Sequence, residues 1–197
     1  EGYYDESGED SLSIAVFYKD IENAIERVVI PASGTAANAR TFQNADGAEL
    51  TGIEIEGRVS FQLFDSNDSE FFIDVNAASI ESEVVVGNGQ TRAMQGQPEY
   101  TANLIFGYDN FANGRQLTLL FNQNGETIAD TGIQGAADIV LEPRMDLQLV
   151  YRWDLSEAIV MRAKVDNLLN SKFEYRQGGD LFQLYGRGSG FSVTVGW

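Results

Sequence analysis

The sequence predicts an all-β chain, an antiparallel up-and-down transmembrane β-barrel segment of about eight strands. Three observations carry that expectation. Apolar residues recur at every second position through most of the chain, which is the period of an extended strand with two distinct faces. The alternating stretches run to roughly ten residues, matching the about 9–11 of a tilted membrane strand rather than the five or six or so of an average strand. Short turns alternate with long connections, as in barrels with short periplasmic turns and longer extracellular loops.

The first strand is Ser11 to Lys19, with Leu12, Ile14, Val16 and Tyr18 on one face. From Asp20, the spacing of Ile21, Ala24, Ile25 and Val28 lets a helical turn compete with a continuing strand. Pro31 to Asn44 is small and polar and reads as a long loop. Ala48 to Leu63 alternates again, placing Ile53, Ile55, Gly57, Val59, Phe61 and Leu63 together. Asp65 to Asp68 is a short turn. Phe71 to Ile80 follows as a strand, and Gly87 to Gln97 as a second loop closed by Pro98.

Tyr100 to Asp109 gathers Ala102, Leu104, Phe106 and Tyr108, and after a turn at Asn110 to Gly114, Gln116 to Asn122 gathers Leu117, Leu119 and Phe121. Asn124 to Leu141 reads as a third long loop. Arg144 to Trp153 and Ile159 to Val165 form a pair around a tight turn at Asp154 to Ser156. Asn167 to Arg187 reads as a fourth loop, and the closing strand GSGFSVTVGW puts Phe191, Val193, Val195 and Trp197 on one face. With the three tight turns periplasmic, both chain ends lie on the periplasmic side.

No Asp, Glu, Lys or Arg falls on the apolar stripe within these spans, whereas the opposite face carries Glu54, Glu56, Arg58, Asp74, Asp109, Asp146, Arg152, Arg162, Lys164 and Asp166. A charge on the lipid face near the midplane costs about 2–4 kcal/mol, so the exclusion has a physical reason. A soluble sandwich would also alternate, with its apolar face buried inside. Aromatics gather near the stripe ends (Tyr18, Phe61, Phe71, Tyr108, Tyr151, Trp153, Trp197), as interfacial girdles do.

Composition narrows the chemistry. The 197 residues include no cysteine and no histidine, which removes disulfides, thiolate metal sites and the commonest general base. A formal charge of -17 argues against nucleic acid as a partner. Neither a signal peptide nor an apolar run long enough for a spanning helix is visible. Beginning at Glu1, the chain reads as a piece of something longer.

Five stretches resemble, in order, the barrel of TonB-dependent outer-membrane receptors: SIAVFYKDIENAI from Ser13, NADGAELTGIEIEGRVSF from Asn44, GQPEYTANLIFGYD from Gly96, VDNLLNSKFEY from Val165 and YGRGSGFSVTVGW from Tyr185. The resemblance implies that residues 1–197 are the C-terminal portion of a larger barrel of roughly twenty-two strands with a plugged lumen. The plug domain and the N-terminal strands are then missing from this sequence. It also implies an outer-membrane receptor that imports a scarce nutrient, such as a siderophore-bound metal, a cobamide or an oligosaccharide. The implied partners are outer-membrane lipid, the TonB complex acting through the plug, the small nutrient ligand, and the barrel-assembly machinery. That machinery would read Gly190, Val193, Val195 and Trp197 in the last strand, where Trp stands in place of the usual Phe. No catalytic residue, metal ligand or cofactor is expected. The two rival readings are a self-contained eight-stranded anchor or adhesin and a soluble secreted β-sandwich binding module.

Binding residues on a rigid scaffold tend to lie on its loops. The candidates are Arg92, Asp130, Asp138, Arg176, Asp180, Tyr185 and Arg187. The Gly87-Asn88-Gly89 tip lacks the helix and basic residue that a phosphate cradle needs. Glu54 and Glu56 share a face and read as lumen-lining charges rather than an acid/base pair. Asp65, Asn67 and Asp68 lack the closing glutamate of a calcium loop and read as a turn, and Glu142 reads as part of a solvated loop.

Overall fold

Strand pairing follows chain order almost throughout the computed structural model, which describes residues 2–3, 10–29, 40–62, 68–86, 89–132 and 136–197. The strands begin with β1 (Gly2–Tyr3), β2 (Ser11–Ile21), β3 (Ile25–Val29), β4 (Arg40–Asn44), β5 (Gly47–Phe61) and β6 (Ser69–Val86). They continue with β7 (Gln90–Arg92), β8 (Tyr100–Asn110), β9 (Arg115–Asn124), β10 (Thr127–Asp130) and β11 (Ile139–Leu141). The last five are β12 (Arg144–Ser156), β13 (Ile159–Asp166), β14 (Lys172–Gln177), β15 (Asp180–Gly186) and β16 (Gly190–Gly196). No helix occurs among the described residues.

The main sheet runs β1-β2-β5-β6-β8-β9-β12-β13-β16, with β7 added to β6. All its neighbours are antiparallel. Its long members are the eight strands expected from the alternation. The sheet is open, so the closed eight-stranded rival does not form: β16 pairs with β13 and not with β2. Among the described residues, the outer edge of β2 is met only at Ser11 and Leu12, by Tyr3 and Gly2.

Register turns separate stripes into continuous rows. Val59, Ile73, Phe106, Leu119, Leu149, Val165 and Phe191 are successive partners from β5 to β16. Beside them run Phe61, Phe71, Tyr108, Leu117, Tyr151, Ala163 and Val193. This face is bare: Val16 is 76% exposed and Trp197 96%, and Ile55, Val75, Leu104 and Val193 are exposed too. A sandwich would bury these residues against a second sheet. In water such a face has no favourable partner; in lipid it meets hydrocarbon while the ladder satisfies the backbone groups within the sheet.

Above the main sheet the strands do not stop, which corrects the reading of the long connections as loops. β10, β11, β14 and β15 form a second sheet in that order; in the chain β10 follows β9, β11 leads into β12, β14 follows β13 and β15 leads into β16. The interruptions fall where the ladder cannot continue. Pro143 has no N–H to donate. Asn167, Asn170 and Gly188 take left-handed φ values of 52°, 50° and 71°. A Cβ on Gly125 would sit 2.6 Å from the Tyr100 ring.

Three boundaries differ from expectation. The helical turn weighed at Ile21 to Val28 is absent, because Glu22 and Asn23 turn the chain and Ile25–Val29 pairs with Arg40–Asn44 instead. Residue Asn23 has φ 55°, which no helix accepts. The turn placed at Asp154 to Ser156 moves to Glu157 and Ala158, since a register shift between Asp154 and Ser156 carries β12 further. The outward face also carries charge at Glu49, which lies inside the expected Ala48 to Leu63 span and corrects the reading of a charge-free stripe, and past the expected spans at Glu81, Glu83 and Arg115. The expected tip at Gly87-Asn88, the expected turn residues from Asp65 to Asn67, and most of the expected loop from Pro31 lie outside the described residues.

Candidate functional site

The polar face of the wall is built from the same alternation, one residue out of step. Ser13, Glu56, Asn76, Asn103, Asn122 and Asp146 are successive partners from β2 to β12. Their amides chain together. Asn76 donates to Glu54 and Glu56 at 3.0 and 2.9 Å, Asn103 donates to Asn76 at 3.3 Å, and Asn122 donates to Asn103 at 2.6 Å. Glu54 and Glu56 are thus hydrogen-bonded lumen-face groups, as expected.

Along the same face every mid-strand cation named here has a carboxylate. Arg58 grips Asp74 with 3.0 and 3.1 Å bonds and lies over the Phe72 ring, its carbon 4.6 Å from the centroid. Lys164 meets Asp166 at 2.7 Å and Arg152 meets Asp154 at 3.0 Å. The buried Asp146 accepts from Arg144 and Gln148 at 3.1 and 2.7 Å. The wall is therefore polar, with these cations ion-paired within it, as suits a lumen lining.

At the mouth the β3–β4 hairpin folds onto this polar face. Ala24 and Ala45 at its base pack with Ala48 and Val84, beside Ile21, Val86 and Met94. Ala48 and Val84 are cross-strand partners in step with the lumen-face pair Glu54 and Ala78, so the packing is inside the wall. Gln95 then clamps the hairpin backbone, accepting from Arg27 N–H at 3.1 Å and donating to the Arg27 carbonyl at 3.2 Å.

The expected loop residues come together only in part. Arg92 is held by the buried Glu26 at 2.5 Å. Asp130 is shared by Arg27, at 3.0 Å, and Arg40. Asp138 accepts from Gly132 N–H at 2.7 Å. Arg176 bridges Glu142 and Glu174 and also donates to the Gly179 carbonyl at 2.8 Å. The aromatic ring of Tyr185 stacks on Phe173 with centroids 4.9 Å apart, and Arg144 lies over Phe173 at 4.4 Å. Asp180 and Arg187 are exposed on the β14–β15 hairpin and just after it. On β16, Gly190, Val193 and Val195 share an open edge, with Trp197 just beyond it.

Two mouth groups have shifted acidities. Burial, then the nearby Glu99 and Glu142, pushes the Glu126 carboxyl up. The hydrogen bond to Tyr185, then burial, pushes the Tyr175 phenol up. Among the described residues no group of three or more acidic side chains is placed to hold a metal ion.

Sequence reasoning missed Arg27, Arg40 and the amide ladder. The ladder was findable in principle, because hairpin register places Asn76, Asn103 and Asn122 opposite one another once the turns are located. The Arg27–Asp130 contact spans two separate connections and leaves no local signal.

An antiparallel wall with a bare apolar outside, a hydrogen-bonded polar inside and structured loops at one end is the wall of an outer-membrane-type β-barrel. The chain matches the family described as TonB dependent receptor-like, beta-barrel over residues 2–168, and it belongs to that family. This is a receptor family of the bacterial outer membrane, not a family of enzymes. No curated protein and no solved structure matches the chain.

Proposed function

We propose that the chain is the C-terminal wall of an outer-membrane receptor that captures a scarce nutrient at its mouth and imports it with energy from the TonB system. The observation that carries this reading is the pairing of bare apolar rows with a polar inner wall in a chain of this family. The remaining strands and a plug domain would complete the barrel by pairing with the open edges of β2 and β16. The ligand, a siderophore-bound metal, a cobamide or an oligosaccharide, would meet the loops carrying Arg92, Asp138, Arg176, Asp180, Tyr185 and Arg187. Gly190, Val193, Val195 and Trp197 would present the last strand to the barrel-assembly machinery.

Mechanistically the wall binds, orients and insulates, and makes or breaks no covalent bond. Its contribution is a rigid scaffold whose loops hold the ligand above a polar passage. The test uses the full-length gene. Membrane fractionation should place the product in the outer membrane, and uptake of the nutrient whose scarcity induces it should vanish when TonB is deleted. A soluble product, or uptake that persists without TonB, overturns the reading.

A further inference from the structure

We propose that Arg27 and Arg40 form an anion-binding site on the inner side of the mouth, one that Asp130 occupies in this structure and that a carboxylate or phosphate group of the incoming ligand takes over. The origin of the anion rests on the receptor reading above; the site itself does not.

Two guanidinium groups share the single carboxylate of Asp130. That leaves one positive charge in excess at this point of a chain whose formal charge is -17. Neighbouring Arg92 does not add to the excess, because the buried Glu26 neutralises it. Donor capacity is also in excess. The Nε of Arg40 is buried and finds no partner among the described residues. An unsatisfied buried donor is costly, so a group that reaches it is favoured. Asp130 has little left to offer, since its Oδ1 also accepts from Thr131 N–H at 2.9 Å.

An oxyanion with two or three oxygens suits paired guanidiniums better than one short carboxylate does, because each planar fork can be met bidentately. Placement selects the source of that anion. The hairpin carrying both arginines is anchored on the polar face through Ala24, Ala45, Ala48 and Val84, not on the lipid-facing rows. The Arg27 side chain is 41% exposed, which gives solutes access. A solute entering the mouth therefore reaches the site, and a lipid headgroup does not. Displacing Asp130 would leave Arg27 in place, because its guanidinium also donates to the Ala129 carbonyl of β10 at 3.2 Å.

The test is arginine-specific dicarbonyl labelling of the full-length receptor in detergent, read residue by residue by peptide mass spectrometry, with inorganic phosphate titrated against chloride at constant ionic strength. Phosphate should slow labelling of Arg27 and Arg40 and leave the exposed Arg115, which has no binding role, unchanged. Asp130→Asn should lower the half-protecting phosphate concentration at least tenfold, and Arg40→Gln should abolish protection of Arg27. Equal protection of all three arginines, no protection, or an Asp130→Asn variant with an unchanged midpoint overturns the proposal. A heat-modifiable band on gels confirms that each variant is folded. Repeating the labelling in phosphatidylglycerol vesicles without phosphate tests the source: protection there overturns the inward placement. TonB-independent uptake would sink the transporter reading while leaving this titration intact.

Discussion

The side-chain amide of Asn167 donates to the backbone carbonyl of Gly188 at 2.9 Å, across the gap where β13 and β16 both leave the main sheet. The same side chain accepts from Ser171 N–H at 2.9 Å, and the Asn167 backbone carbonyl accepts from the Ser189 hydroxyl at 2.8 Å. One asparagine, 1% exposed, thus satisfies the backbone groups that the interrupted ladder abandons. Its φ of 52° explains the residue type, since asparagine tolerates the left-handed region that most side chains avoid.

Asn167→Ala removes those side-chain bonds and places an intolerant residue at positive φ. The expected loss is about 2–4 kcal/mol, combining unsatisfied buried groups with backbone strain. Asn167→Gly removes the bonds and keeps the backbone permissible, so it should cost less than alanine. Urea unfolding of the barrel in detergent, followed by Trp fluorescence, measures both. Equal stability of the alanine variant and the parent would show that the bracket carries no weight.

A charge inserted into the apolar rows discriminates inside from outside. Leu119→Arg should cost about 2–4 kcal/mol in a bilayer if Leu119 lies near the midplane. Thr118→Arg, one residue away on the polar face, should be tolerated. Heat-modifiability of the assembled barrel reads both variants. Equal tolerance would mean that the rows do not face lipid.

How much of this was legible in the sequence divides along physical lines. The eight wall strands were, because each must hold one face against hydrocarbon and the period of two survives any register. The second sheet was not. Short stretches such as Thr127–Asp130 (TIAD) and Asp180–Gly186 (DLFQLYG) mix polar and apolar residues without a clean stripe, so alternation has little to report. The partners of Asp130 were hidden for a different reason: a contact 90 residues away along the chain depends on where the hairpin folds, not on spacing. Conversely, the motif around Asn167 was visible as a resemblance, but its work as a bracket emerged only with the backbone geometry.

Close packing on the inner wall gives a further prediction. A Cβ on Gly107 would lie 2.0 Å from the tip of the Phe72 ring, and that ring carries the Arg58 guanidinium above it. Gly107→Ala must therefore displace Phe72, costing about 1–3 kcal/mol of overpacking. Phe72→Leu in the same chain should recover part of the loss by making room. Denaturant midpoints of the single and double variants check this; a double variant no more stable than Gly107→Ala alone would break the assignment.

The acidity of Glu126 predicts how the mouth responds to pH. Its carboxyl is raised by burial, then by Glu99 and Glu142, so the folded mouth binds its proton more tightly than the unfolded chain does. Below the ordinary carboxylate range both states are protonated and the group is neutral to stability. As pH rises through that range the unfolded chain ionises first, and stability falls until the folded carboxyl has also titrated. The junction between β9 and β10 should therefore exchange amide hydrogens more slowly just above the ordinary carboxylate range than at neutral pH, after correction for the intrinsic pH dependence of exchange. Glu126→Gln should remove that difference and protect the junction at neutral pH, because the repulsion from Glu99 and Glu142 then has no charge to act on. Hydrogen exchange resolved at Gly125 and Thr127 makes the comparison. Protection that instead increases from acid to neutral pH would show that ionised Glu126 is stabilised by a partner rather than opposed by its neighbours.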